Sequence, residues 1–331
     1  MNKGHSKRRH VIALAVIGGG SVLFVCAVAV LALRSGRRET PLPPVPEVTG
    51  MLGEVRVKPV VRKDAARKPA VVVSASRAVA VVCGADEATA DRYEARNDAL
   101  RSIARRRDLP KEDVAALIDY LATTNDPLRV ERVAALKNDV MNLLRCQEPP
   151  PANLAEALIA MFDGGGHPPA VLDYCIQHLG AMQNGIADDA LRRRVREVFV
   201  RTARQGKLPC AGTALYSLAD DRRATLAQKS ELRRLALALC AADANAAARM
   251  AAIQLAGERG WREALPLLRE TLSAPARDAV LDIVCMGSVG LLGDASDIPR
   301  LSRLAEGDVR RAAAAEAAIR RIREREGGGR R

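Results

Sequence analysis

The sequence predicts an all-α fold: an α-solenoid of antiparallel helix pairs, preceded by one transmembrane helix and a linker. Three observations carry that expectation. Aromatic residues are only 2% of the 331, while Ala, Leu and Arg recur throughout. Such a composition suits close-packed helices and lacks the aromatic and β-branched strands of an all-β fold. From about Asp86 onward, apolar stripes at helical spacing alternate with breakers such as PPP (149–151) and GGGHPP (164–169). Gly260, Pro266 and Leu268 also return 33 residues later as Gly293, Pro299 and Leu301, a period in the range of two-helix repeats, which must stack to bury their apolar faces.

In chain order, residues 1–10 form a basic N-terminal segment with Lys3, Lys7, Arg8 and Arg9. Residues 11–33 (VIALAVIGGGSVLFVCAVAVLAL) then run without a charge, long enough at about 1.5 Å per residue to span a hydrocarbon core of about 30 Å. The apolar region of a cleaved leader is about 7–15 residues, so the length reads as an uncleaved signal-anchor. Ala27-Val28-Ala29 supplies the cleaved alternative. A lipoprotein reading is weaker, because Val25 stands where a small residue should precede Cys26. The basic residues before the span slightly outweigh Arg34, Arg37 and Arg38 after it. That bias sets the N-terminus in the cytoplasm and the C-terminal body outside, periplasmic in a bacterium.

Residues 34–85 read as a Pro-containing basic linker, mostly disordered, with PLPPVP (41–46) as a semi-rigid spacer. Within it AVVVSASRAVAVV (70–82) alternates like a short strand but has no neighbouring strand signal, so a tether is the reading. Residues 86–326 form the helical-repeat domain and 327–331 a disordered tail. Helices are expected over 93–107, 114–122, 126–147, 153–162, 169–183, 188–204, 209–219 and 228–242, bounded by DLP, PPP, NG, QGKLP and DDRR.

The C-terminal segments AARMAAIQLAGERGWREALPLLRETL (247–272), ARDAVLDIVCMGSVGLLGDASDIPRLSRL (276–304) and VRRAAAAEAAIRRI (309–322) carry a family likeness. They resemble the HEAT-repeat superfamily, specifically the short bacterial repeats related to the phycobilisome-lyase HEAT-like type. The resemblance implies a binding scaffold, and in some members assistance to covalent modification of a partner. No catalytic motif of such a member is present to carry over.

Charge narrows the function classes. The net +13 sits at the ends: residues 1–82 hold 14 Lys and Arg against 4 Asp and Glu, and residues 310–331 hold 8 Arg against 3 Glu. The body between them, 83–309, is close to neutral, with 30 basic and 32 acidic residues. A phosphate-binding groove needs its charge on the folded face, and single-strand binders need aromatic platforms, so nucleic acid is not the expected partner. Binding of nucleic acid or an anionic surface through the basic termini stands as one alternative.

The densest chemical stretch is DYCIQHLG (173–180), with Asp173, Tyr174, Cys175 and His178. On a helix Val171, Leu172, Cys175, Ile176, Leu179 and Met182 share a buried stripe, where a thiol behaves as a small hydrophobe. Tyr174 and His178 lie on its flank and Asp173 points away. A structural zinc site wants four ligands, and only His167 offers another imidazole in the body. Core helix is therefore preferred, and no catalytic, cofactor-binding or metal residue is assigned. The alternative is an enzyme or lyase-like accessory using Cys175 and His178 with Asp173 or His167. Cys210, Cys240 and Cys285 read as core. GGGHPP lacks the Lys-Ser/Thr of a phosphate loop. RRR at 105–107 and 192–194 reads as solvated helix face, and Asn138, Asp139, Asn142 and Gln147 form the expected binding edge. The function read from all this is a membrane-anchored, non-enzymatic scaffold for a protein or peptide partner, with no cofactor.

Overall fold

The computed structural model describes residues 75–328 apart from 242, 275–277 and 307. The span expected at 11–33, most of the linker and the last three residues of the tail lie outside the described residues. The described chain is all-helical, without a strand. Its α-helices are α1 (Ala75–Val82), α2 (Tyr93–Ile103), α3 (Lys111–Ala122), α4 (Val130–Arg145), α5 (Leu154–Gly164), α6 (Pro169–Met182), α7 (Asp189–Gln205), α8 (Ala211–Asp220), α9 (Leu226–Ala241), α10 (Ala246–Glu258), α11 (Leu265–Thr271), α12 (Ala279–Leu292), α13 (Ile298–Leu304) and α14 (Val309–Gly328). None of them is long and apolar enough to cross a membrane.

Helix α1 corrects the domain boundary. Residues 75–85 were assigned to the tether and 70–82 resembled a strand, yet Ala75, Ala78, Val79 and Val82 are buried against α2 and α3. Their spacing of i, i+3, i+4 and i+7 is a helical stripe. Strand-like alternation lost because no strand offered its backbone a partner, while two helices offered an apolar face. The helical body therefore includes Ala75–Val82. At the other end α14 continues to Gly328, two residues into the expected tail.

Local chemistry sets the helix ends. The carboxylate of Asp188 accepts from Ala190 N–H at 2.7 Å and caps α7, Asn245 accepts from Ala247 N–H at 3.0 Å for α10, and Asp278 accepts from Val280 N–H at 2.8 Å for α12. Gly206, at φ +57°, closes α7 in the left-handed region that glycine favours. The recurrence seen in sequence is a structural one. Pro266 and Pro299 each open a short helix after a 3-10 turn (Arg262–Ala264 and Ala295–Asp297), and Leu268 and Leu301 are fully buried at matching places.

Each helix packs chiefly on the next and the next but one. Helices α2, α4, α6, α8, α10, α12 and α14 form one continuous layer, and α1, α3, α5 and α7 begin a second. Side-chain hydrogen bonds among the described residues reach at most 41 residues along the chain, the longest joining Gln147 Nε2 to Arg106 O. The even layer is closed by small residues. A Cβ at Gly212 would stand 2.7 Å from Ala251 Cβ, at Gly257 3.1 Å from Ser288 Cα, and at Gly290 2.8 Å from Ala318 Cα. From α5 onward Arg–carboxylate pairs bridge the elements on the other side: Arg194–Glu156, Arg201–Asp163, Arg196–Glu231, Arg233–Glu263 and Arg269–Asp297.

Candidate functional site

The Cys/His/Asp stretch lies on α6, and its members face different partners. Cys175 is fully buried in the apolar stripe, and burial pushes its thiol up to about 12, far from the reactive thiolate range. His178 is buried rather than flanking. Its Nε2–H donates to Asn138 Oδ1 on α4 at 3.2 Å, and burial, helped by the Arg145 charge, lowers its pKa to about 4. Asp173 accepts from Thr213 Oγ1 on α8 at 2.7 Å and from Gln177 Nε2 at 2.8 Å, while burial raises its pKa. These groups tie three helices together and do not converge on one point. Cys210, Cys240 and Cys285 are likewise buried, with thiols raised to about 11, 12 and 12. Among the described residues no group of three or more His, Cys, Asp or Glu is placed to hold a metal ion.

The expected binding edge on α4 is partly consumed by the fold. Gln147 is buried and clamps two loops, donating to Arg106 O at 3.0 Å and Leu143 O at 2.9 Å and accepting from Leu109 N–H at 2.9 Å. Asn138 holds His178. Asp139 remains exposed. The GGGHPP stretch is a turn, with Gly165 and Gly166 at positive φ, leading into α6 at Pro169.

A buried polar cluster that the sequence reading missed joins α1 to α4. Arg96 grips Asp126 with two bonds of 2.9 Å, donates Nε–H to Val82 O at 2.9 Å and lies over the Tyr120 ring. Tyr120 O–H donates to Asp126 Oδ2 at 3.1 Å. Lys137, 1% exposed, donates Nζ–H to Leu121 O at 2.8 Å and to Thr123 O, closing the C-terminus of α3. Burial lowers its pKa to about 8. The available signal was Lys137 interrupting the stripe of Val133, Ala134, Val140 and Met141. All these donors and acceptors engage one another, so the cluster reads as structural.

One open feature among the described residues is a furrow of about 710 Å³ between α7 and α9. Arg193, Arg196, Glu197, Val200, Arg201 and Arg204 line it from one face of α7, at i, i+3, i+4, i+7, i+8 and i+11. Gln228 and Glu231 line it from α9. Packing like that between α5 and α7 does not join α7 to α9 among the described residues. Arginines fill the space: Arg196 donates to Glu231 Oε2 at 3.2 Å and to Gln228 O at 3.3 Å, and Arg204 to Glu231 Oε1 at 2.9 Å. Arg196 Nη1 is buried without a hydrogen bond, 3.7 Å from Asp221 Oδ2. The triplet 192–194, read as solvated face, thus divides: Arg192 pairs with Asp189 and Arg194 with Glu156, while Arg193 turns into the furrow.

The chain matches no family model, no curated protein and no solved structure.

Proposed function

We propose that the chain is a HEAT-like α-solenoid that holds a protein partner without catalysing a reaction on it, anchored in the membrane by residues 11–33. The observation that supports this reading best is the contact pattern, in which each helix rests on its near neighbours along the chain. A stack of that kind presents an extended surface and needs no central active site. Asp173 and His178 of α6 support it too, since each hydrogen-bonds to a neighbouring helix. Anchoring and orientation rest on the uncharged run of 23 residues and its basic flanks, with the body placed in the periplasm.

Chemical crosslinking of intact cells expressing the full chain, followed by mass spectrometry, tests the scaffold. A reproducible adduct joining residues 75–328 to one protein is expected. If crosslinks come only from chance neighbours that change between preparations, the scaffold reading fails. A C-terminal reporter active only outside the cytoplasm tests the orientation separately.

A further inference from the structure

We infer that the open side of α12 is a docking strip for an amphipathic helix of the protein partner, apolar along one stripe and acidic on the flank that meets α14. The inference rests on the scaffold reading and supplies the chemistry of the partner. Helix α12 (AVLDIVCMGSVGLL) carries one charged residue, Asp282, and that residue is buried. Ser288 rests against Gly257 of α10, Gly290 against Ala318 of α14, and Cys285, Met286 and Val289 are buried in the core. A helix that is apolar all round is one that is covered all round. The fourth side of α12 is nevertheless open. Val280, Val284, Gly287 and Leu291 lie along it at i, i+4, i+7 and i+11. Val280 and Leu291 are each 42% exposed, and a Cβ built at Gly287 meets nothing within 4 Å. The strip widens onto both neighbours: Ala247, Ala251 and Gln254 of α10 and Ala314 and Ala317 of α14 are part-exposed at the same spacing.

Size, backbone chemistry and charge select the occupant. From Val280 to Leu291 the strip is about 17 Å long at 1.5 Å per residue, and three helices 8–10 Å apart make it about 20 Å wide. An area of about 350 Å² is under half of the roughly 800 Å² per partner that a stable dimer buries, so one helix covers the strip and a second copy of this chain is not held by it. An extended segment would press its N–H and C=O groups on aliphatic side chains, whereas a helix bonds its own backbone. Charge sets the flank. Arg310 and Arg321 stand at either end of the α14 border, the first exposed and the second partly so, and neither side chain has a hydrogen bond or ion pair among the described residues. Asp308, next to Arg310, is spent on the cap of α14, accepting from Arg310 N–H and Arg311 N–H at 2.9 Å each. The α10 border ends instead in Glu258, which accepts from Gln254 of its own helix at 3.0 Å. The occupant therefore carries carboxylates about three turns apart toward α14 and a neutral or basic side chain toward Glu258. An anionic bilayer is disfavoured by Glu258 on one border and Glu324, exposed, at the end of the other.

The test uses the full chain in lipid nanodiscs and a fluorescein-labelled peptide with leucine at every third or fourth position, glutamates along one flank and alanine elsewhere. Anisotropy is expected to show saturable binding that a scrambled peptide of the same composition lacks. Gly287→Glu puts a charge mid-strip where a side chain has open space, and should weaken binding at least tenfold. Arg310→Glu combined with Arg321→Glu should weaken it at least fivefold, and less so at high salt. Lys229→Glu, on an exposed residue of α9, should leave it unchanged, and circular dichroism checks that each variant folds. No saturation, equal binding of the scrambled peptide, or full binding by the Gly287→Glu chain overturns the strip. So does self-association of the chain, or its adsorption to anionic vesicles, that Gly287→Glu abolishes. If the cellular adduct persists in the Gly287→Glu chain, the strip is refuted while the scaffold stands; if no adduct forms even with wild type, the scaffold itself falls.

Discussion

Gly257 and Gly290 stand 33 residues apart in the two best-matched repeats, and each lets its helix touch the next in the even layer. A methyl at Gly290 meets the backbone of Ala318, which cannot rotate away. Gly290→Ala is expected to lower stability by about 1–3 kcal/mol, as overpacking does. Gly287, one turn earlier on α12, has nothing within 4 Å of a built Cβ, so Gly287→Ala should be neutral or stabilise by up to about 1 kcal/mol. Urea denaturation of the pair checks this, and equal effects would deny the close approach. His178 adds a pH signature. Its folded pKa is about 4 against an ordinary 6.5. Between those values the unfolded chain binds a proton that the folded chain does not, so stability is full above pH 6.5 and is lost as pH falls toward 4. His178→Asn should flatten that limb in thermal melts from pH 7 to 4; an unchanged slope would assign the acid loss to other groups.

At the scale of elements, the helices were legible wherever apolar stripes met clear breakers. From α3 to α9 the expected boundaries lie within about four residues of the observed ones, because Pro, Gly and Asp act locally. Helix α1 was not legible, because AVVVSASRAVAVV alternates and β-branches well enough to pass for a strand, and only the faces of α2 and α3 decide it. The Arg96–Asp126 pair was hidden for the same reason: the two are 30 residues apart and meet only through packing. With side-chain exposures of 1% and 4%, it also yields a test. Arg96→Met strands a buried carboxylate and should cost about 3–5 kcal/mol, whereas adding Asp126→Leu should recover much of that loss. A double-mutant cycle in denaturant measures the recovery, and strictly additive losses would deny the pairing. The triplet 192–194 was read as a solvated face because a single helix wheel cannot show that Arg193 borders a furrow between α7 and α9.

At the scale of the whole folded body, stability is carried by interfaces between neighbours. Such a stack loses protection where it is cut and keeps it elsewhere. Removing residues 298–331 uncovers α12, whose Gly290 face rests on Ala318. Hydrogen exchange should then rise in α12 and α10 and stay unchanged in α1–α6; a uniform rise would indicate one global cooperative unit instead. The central functional claim is that this stack holds a protein partner. Its most direct measurement is site-specific photo-crosslinking in living cells, with the photoreactive residue placed in turn at Arg193, Arg201, Ala238, Gln254 and Glu316 of the full chain. One discrete protein adduct, the same from preparation to preparation, from at least one of these positions is the expected pattern. Adducts that change between preparations, or none from any position, would contradict it.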